Sequence, residues 1–433
     1  MISITRRYRP LTLVIGGVGL IFLLTGVAFG LQSPIKPPSL CPAGPTAAKT
    51  QSKLWFNDGS WWGIFFDGSS EEYRIYRYDQ VKKSWNDTGT LVDARNTSRA
   101  DALWDGSHLY VASAGTETDL QKDSARFLRY TYDPSTERYS LDEGFPVTIA
   151  EGGTEAVSIA KDSTGRFWAT YAQDTPDGEL RRVYVTHTSG GEDSKWVEPF
   201  VPPLPGTTVS TDDVSGVVAF GSKIGLMWGS QHDESGEAGY HFAVHSTGQP
   251  DDEWRSDNPT MGPGVSNDHL NLKADSEGRV YAATKTRRDR IDRDLDAPYG
   301  ELWVRDRDGS WTKHVYSRVR DSYTRTLVLI DEERQRLYVF ATSPTCKGGK
   351  IYYKETNLED IHFEKGRGTL FMEGEGGTKI GDATSTKQNL QGGMGAMVVA
   401  SSPTGGDYYY NLRRPNGQVE PAGDGARMES AGW

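Results

Sequence analysis

Three features of this 433-residue sequence predict an all-β chain folded as a β-propeller of seven blades, each of about four antiparallel strands. A bulky ring recurs at Trp85, Tyr139, Trp196, Trp254, Trp311 and Phe363, in steps of about 55 residues. A hairpin turns about thirty residues before each ring, near Asp58, Asp105, Asp162, Gly221, Asp275 and Asp331. The composition agrees: only 36% of residues are hydrophobic, yet 11% are aromatic and 49 are glycine, which suits short strands and tight turns better than helices. One such sheet cannot bury both faces, whereas units stacked around an axis cover one another.

The elements follow in chain order. Arg6, Arg7 and Arg9 precede an uncharged run over 11–31, about 31 Å of helix and enough to cross a bilayer. Residues 1–10 are expected to be a cytoplasmic basic segment and 11–31 a transmembrane signal-anchor with its N-terminus inside; secretion after cleavage near Gly30 is the alternative. Either reading places the remainder outside the cytoplasm. Residues 32–50 read as a Pro/Ala/Ser-rich linker. The two cysteines, Cys41 and Cys346, are expected to form a disulfide in an oxidising compartment.

The propeller is expected over 51–413. Period-2 alternation marks its strands, as in Leu270, Leu272 and Ala274. A seventh hairpin runs from Ala396 to Arg413, and 414–433 is a Gly/Pro-rich tail placed to close an irregular last blade; six blades is the alternative count. The charge balance, 48 Lys+Arg against 59 Asp+Glu for a net −11 with no basic block, argues against nucleic acid. A monomeric ring is expected.

Two turns nearly repeat, Asp162-Ser163-Thr164-Gly165-Arg166-Phe167-Trp168-Ala169 and Asp275-Ser276-Glu277-Gly278-Arg279-Val280-Tyr281-Ala282. On these hairpins the stretch from 53 to 413 resembles the BNR-repeat, sialidase-like propellers of exported bacterial proteins. Here Gly follows the Asp by three residues where that family's Asp-box has two, and Arg74-Ile75 continues into Tyr76 where sialidases have Pro. No catalytic residue is therefore carried over.

In a propeller, the segments leading into each innermost strand converge on one face. They contribute Arg99, Asp101, Glu155, Asp213, Asp268, His269, Asn271, Lys273, Tyr323, Arg325, Lys387 and Asn389, with His232 on a neighbouring loop. His269, Tyr323, Arg325 and Glu155 are the catalytic candidates and the others ligand-binding candidates. The leading functional expectation is a membrane-anchored propeller binding an extracellular glycan or surface protein. The alternative is a carbohydrate-active enzyme: a polysaccharide lyase with His269 as base, Tyr323 as acid and Arg325 on a uronate carboxylate, or a glycoside hydrolase using carboxylates. No cofactor is expected; a divalent cation at Asp268 and His269 beside Asp213 is a weaker alternative.

Overall fold

The computed structural model describes residues 44–421, apart from 48, 116–123, 155, 176–177, 232–235, 292–293, 345–347 and 404–405. The apolar run 11–31, Cys41 and Cys346 lie outside the described residues, and so do the anchor and disulfide expectations. Among the described residues no helix is long and apolar enough to cross a membrane.

Seven antiparallel sheets follow one another along the chain, four with four strands and three with five. Each is a meander whose first strand is the innermost: Leu54–Asn57, Arg99–Trp104, Val157–Lys161, Ser215–Phe220, Leu270–Ala274, Thr324–Asp331 and Gly381–Thr384 for blades 1 to 7. The last blade completes its four strands with Ala396–Ser401, Tyr408–Arg413 and Val419–Pro421. The count is therefore seven. The start of the Gly/Pro-rich tail supplies an outer strand, which its composition had masked.

The repeated turns form because one carboxylate organises each hairpin. Asp162 Oδ1 accepts the N–H groups of Thr164 (2.8 Å) and Arg166 (3.1 Å), while Oδ2 accepts Trp168 Nε1 (2.9 Å). Asp275 does the same with Glu277 (3.1 Å), Arg279 (2.8 Å) and the Tyr281 hydroxyl (2.9 Å). Gly165 and Gly278 both sit at φ +89°, where a side chain would be strained. The motif is thus a turn clasp, and its Trp or Tyr donates to the second carboxylate oxygen.

The recurring outer rings hold blade to blade, and each packs back against the preceding one. Ring centroids lie 5.0 Å apart for Tyr139–Trp62, 4.8 Å for Trp196–Phe127, 6.0 Å for Trp254–Trp168, 5.1 Å for Trp311–Phe242 and 6.1 Å for Phe363–Tyr316. Trp85 of blade 1 meets Tyr410 of blade 7 at 6.0 Å, which closes the circle.

Nearer the axis, polar side chains of one inner strand hold the backbone of the next. Asp101 accepts from Ile159 N (2.8 Å), Ser158 from Val217 N (3.5 Å) and Asn271 from Val328 N (3.1 Å). The segment before blade 1 adds a strap. Thr46 bonds to Ser401 of blade 7 (N to Oγ, 3.1 Å), Gln51 to the Val157 carbonyl of blade 3 (3.0 Å) and Ser52 N to Asp101 of blade 2 (2.8 Å). Residues 44–47 and 50–53 are buried, so the end of the expected linker is built into the ring.

Replacing Tyr139, whose hydroxyl also accepts from Trp55 Nε1 (2.8 Å) and Asn57 Nδ2 (2.9 Å), tests the blade contact. Tyr139→Ala is expected to cost about 3 kcal/mol or more in denaturant unfolding. Tyr139→Phe, which keeps the ring but strands the Trp55 N–H, should cost about 1–2 kcal/mol. An unchanged midpoint for Tyr139→Ala would contradict the role given to the ring.

Candidate functional site

The lead-in segments of blades 4 to 7 and the strap meet on one face of the ring. At their centre His269, the residue before the blade 5 inner strand, places Nδ1 2.8 Å from Asp268 Oδ1 and 2.6 Å from Asn267 Oδ1. Both neighbours are acceptors, so Nδ1 carries the proton. Nε2 is left as the lone-pair nitrogen, facing the Thr324 hydroxyl at 3.2 Å. Burial holds the imidazole pKa down to about 4, despite the adjacent Asp268 carboxylate; Lys285 and Lys49 push the same way as burial. Asp268 is pushed up by its own burial, but its interactions with His269 and the Lys49 ammonium outweigh this and hold it well below the usual carboxylate range. Lys49 of the strap reaches Asp268 Oδ2 at 2.6 Å and Asp212 Oδ1 at 3.3 Å.

Around this pair stand three further groups. Asp213 is buried and accepts from Gln231 Nε2 (2.7 Å), Gln231 N (3.1 Å) and Ser210 N (2.9 Å); burial outweighs those bonds and raises its pKa to about 6. Lys285 ends the second strand of blade 5, and its ammonium lies 4.9 Å from the centre of the Tyr299 ring. The Tyr299 hydroxyl donates to Asp289 at 3.2 Å. Arg325 of blade 6 is ion-paired with Asp382 of blade 7. Both sit at φ +56° on their inner strands, where the pairing register shifts. A left-handed backbone at two non-glycine residues costs roughly 1 kcal/mol or more each, so the ring holds this pair in place against local preference.

The structure therefore brings together Asp213, Asp268, His269 and Arg325 among the residues singled out in the sequence. Glu155 and His232 lie outside the described residues. Tyr323 is not at the site: it is buried between blades 5 and 6, its hydroxyl donates to the Arg367 carbonyl, and burial raises its pKa. The acid role expected of it has no support from this placement. Asp101 and Asn271 are the blade-to-blade clasps described above. Lys273 spans the axis to the carbonyls of Thr386 (2.5 Å) and Gln388 (3.3 Å), and Lys387 spans it to Asp101 (3.0 Å). Lys387 and Asn389 follow the blade 7 inner strand instead of leading into it, and Asn389 bonds to Ala274 O (2.9 Å) and Glu332 (2.7 Å). Arg99 is half-buried at the start of the blade 2 inner strand, where its carbonyl accepts from Gln51 at 3.5 Å.

Sequence reasoning missed Lys49, Lys285, Tyr299, Thr324 and Asp382. The one available hint was Lys285, a lone charge ending the apolar run Val280-Tyr281-Ala282-Ala283-Thr284. Among the described residues no group of three or more His, Cys, Asp or Glu side chains is arranged to hold a metal ion. At the position of the weaker, divalent-cation alternative the Lys49 ammonium contacts the Asp268 carboxylate.

No known protein family matches the chain, and no curated protein does. Solved structures do. A periplasmic gluconolactonase of Pseudomonas aeruginosa is 15% identical with a TM-score of 0.50, covering 85% of this chain and 94% of that one. An α-L-arabinanase of Penicillium chrysogenum, complexed with arabinobiose, is 13% identical with a TM-score of 0.45, covering 75% and 100%. The polysaccharide lyase Uly1 is 10% identical with a TM-score of 0.46, covering 90% and 92%. At such identities the likeness shows the propeller fold alone.

The state of His269 is directly measurable. Its ring is expected to titrate near pH 4 by NMR, and Lys49→Met should raise that value by removing a repelling charge. The unfolded imidazole takes up its proton near pH 6.5. The stability this group contributes is therefore present above pH 6.5 and lost as the pH falls towards 4. A ring that titrates at or above its ordinary value would contradict the assigned geometry.

Proposed function

We propose that the protein is an exported carbohydrate-active enzyme in which His269 is the general base. The observation that carries this reading is the buried, neutral imidazole, fixed by Asp268 and Asn267 with its basic Nε2 turned to the one face where several blades converge. Asp268 acts through His269 by fixing its tautomer, and is a positioning residue.

The two enzyme chemistries differ in what they need. A glycoside hydrolase needs two available carboxyl groups across the scissile bond. Asp213 is engaged by three N–H donors, and Asp268 by Lys49 and His269. Proton abstraction needs only the base. In that reading Nε2 displaces the Thr324 hydroxyl and takes a proton from a sugar carbon. The C–H electron pair becomes a carbon–carbon double bond, the glycosidic C–O bond breaks, and solvent protonates the leaving oxygen. A purely binding role is less well supported, because sugar platforms are exposed aromatic faces and no aromatic side chain is exposed among the described residues.

The experiment is a screen of the full chain against polysaccharides, reading both new reducing ends and unsaturated products. Turnover is expected with unsaturated ends, and His269→Ala should lower it by about a hundredfold or more. Activity should fall as pH drops through the His269 pKa, because only the neutral ring accepts a proton. Hydrolysis without unsaturated ends would overturn the abstraction chemistry, and binding without turnover would return the protein to the binding role.

A further inference from the structure

Four lysines among the described residues are buried: Lys53, Lys273, Lys285 and Lys354. Three have carbonyl acceptors. Lys53 donates to Ala100 O (3.1 Å), Lys273 to Thr386 O (2.5 Å), and Lys354 to Tyr316 O and Glu364 O (both 2.6 Å). Lys285 is the exception. It is only 8% exposed, and among the described residues its ammonium makes no hydrogen bond; its contact is the Tyr299 ring face. Its nitrogen is not one of the fully enclosed unbonded atoms, so the stem is buried while the ammonium tip keeps an opening, with its donors unused by protein acceptors among the described residues.

Its position is equally particular. Lys285 ends its strand on the face that carries His269, and both His269 and Asp268 feel its charge. Lys49 and Arg325 add positive charge nearby but are held by Asp268 and Asp382. Among the described residues at this face, Lys285 is the buried lysine with no hydrogen-bond acceptor, although the charges of Asp268 and Asp289 act on it.

We propose that the ligand of this site is an anionic saccharide, one of whose carboxylate or sulfate oxygens is received by the Lys285 ammonium while the sugar lies over His269. This rests on the carbohydrate-active reading and gives that reading its substrate class. The ammonium is a compact point charge on a flexible stem, so it accepts a uronate carboxylate or a sulfate ester without a bidentate match. Such an anion would supply the missing acceptor, and it would do so in a shielded place where the charge-assisted bond is strong. The chain's net charge of −11 repels polyanions at a distance, which makes a local cationic seat the requirement for binding one.

The test titrates the full chain with an oligouronate, a sulfated oligosaccharide and a neutral oligosaccharide of equal length, and with glucuronate and inorganic sulfate alone. Parent protein is expected to bind one anionic oligosaccharide at least about tenfold more tightly than the neutral one, and Lys285→Met should abolish that preference. Whichever of the oligouronate or sulfated probe binds identifies the anion. In the absence of ligand, Lys285→Met should melt at the same or a higher temperature than the parent, since it removes a largely desolvated charge that makes no hydrogen bond to the protein; a merely structural lysine would lower it. Neutral and anionic probes binding alike, or Lys285→Met keeping the preference, overturns the anionic ligand and leaves the carbohydrate reading standing. No oligosaccharide binding, with glucuronate or sulfate still shifting the Lys285 ammonium resonance, overturns the carbohydrate reading and keeps the anion seat. Silence from every probe overturns both.

Discussion

A four-stranded sheet with apolar residues on both faces has no stable existence alone, and ring closure is the constraint on which this molecule depends. The strands bear this out: Ser60–Asp67, the second of blade 1, is buried along nearly its whole length. Each sheet must be covered on two sides, and the outer aromatic leaning back on the preceding blade makes that cover directional. Because every wedge points the same way round, the last contact, Trp85 on Tyr410, joins the ends of the propeller by packing, and hydrogen bonds such as Phe66 N to the Tyr408 hydroxyl (2.7 Å) and the Tyr410 hydroxyl to Lys83 O (2.8 Å) add to it. Offset and edge-on ring pairs add to the area they bury, so these few residues carry much of the cohesion between blades.

Closing a ring leaves an axis where seven inner strands crowd together, and this protein fills it with polar side chains. Asp101, Ser158 and Asn271 take neighbouring backbone N–H groups, while Lys273 and Lys387 bridge across. Burial drives the Lys273 pKa well below its ordinary value and raises that of Asp101. Such groups are tolerated because their hydrogen bonds are nearly all made, and they fix the relative heights of the strands more than they add stability. The strap does similar service from the N-terminal side: it ties blades 2, 3 and 7 together and delivers Lys49 to Asp268. Site and ring closure thus share one segment.

The blades were legible because their determinants are local and periodic. The Asp-centred turns and the outer rings each recur once per unit, and each does the same physical job every time it appears. Blade 7 was harder to read because its inner strand, Gly381–Thr384, is short, half polar and interrupted by a register shift at Asp382. Missing it moved the expected lead-in segment to Lys387 and Asn389, which lie beyond the strand. Tyr323 illustrates a different difficulty. It is adjacent to Thr324 in sequence, yet it precedes the strand, just after a 3-10 turn, and its ring enters the core between blades while Thr324 meets His269. Chemical type identified His269, Asp268 and Arg325. No single-sequence pattern could distinguish them from Asp101 or Asn271, which carry equally polar side chains at equivalent places and spend them on backbone.

That distinction is the useful one for reading propeller centres. Charge density on the axis is not evidence of function, since most of it here is consumed by the fold. What marks the region around His269 is a neutral imidazole whose Nε2 is met only by the Thr324 hydroxyl, an ammonium resting on an aromatic ring without an acceptor, and an ion pair whose two residues both hold strained backbone. A fold optimised for stability alone would give the ammonium an acceptor and relax the strained pair. All three belong to blades 5 to 7, whereas Asp101 and Lys273 are spent on neighbouring inner segments. The division between completed and uncompleted polar groups therefore separates scaffold from site more sharply than residue type does.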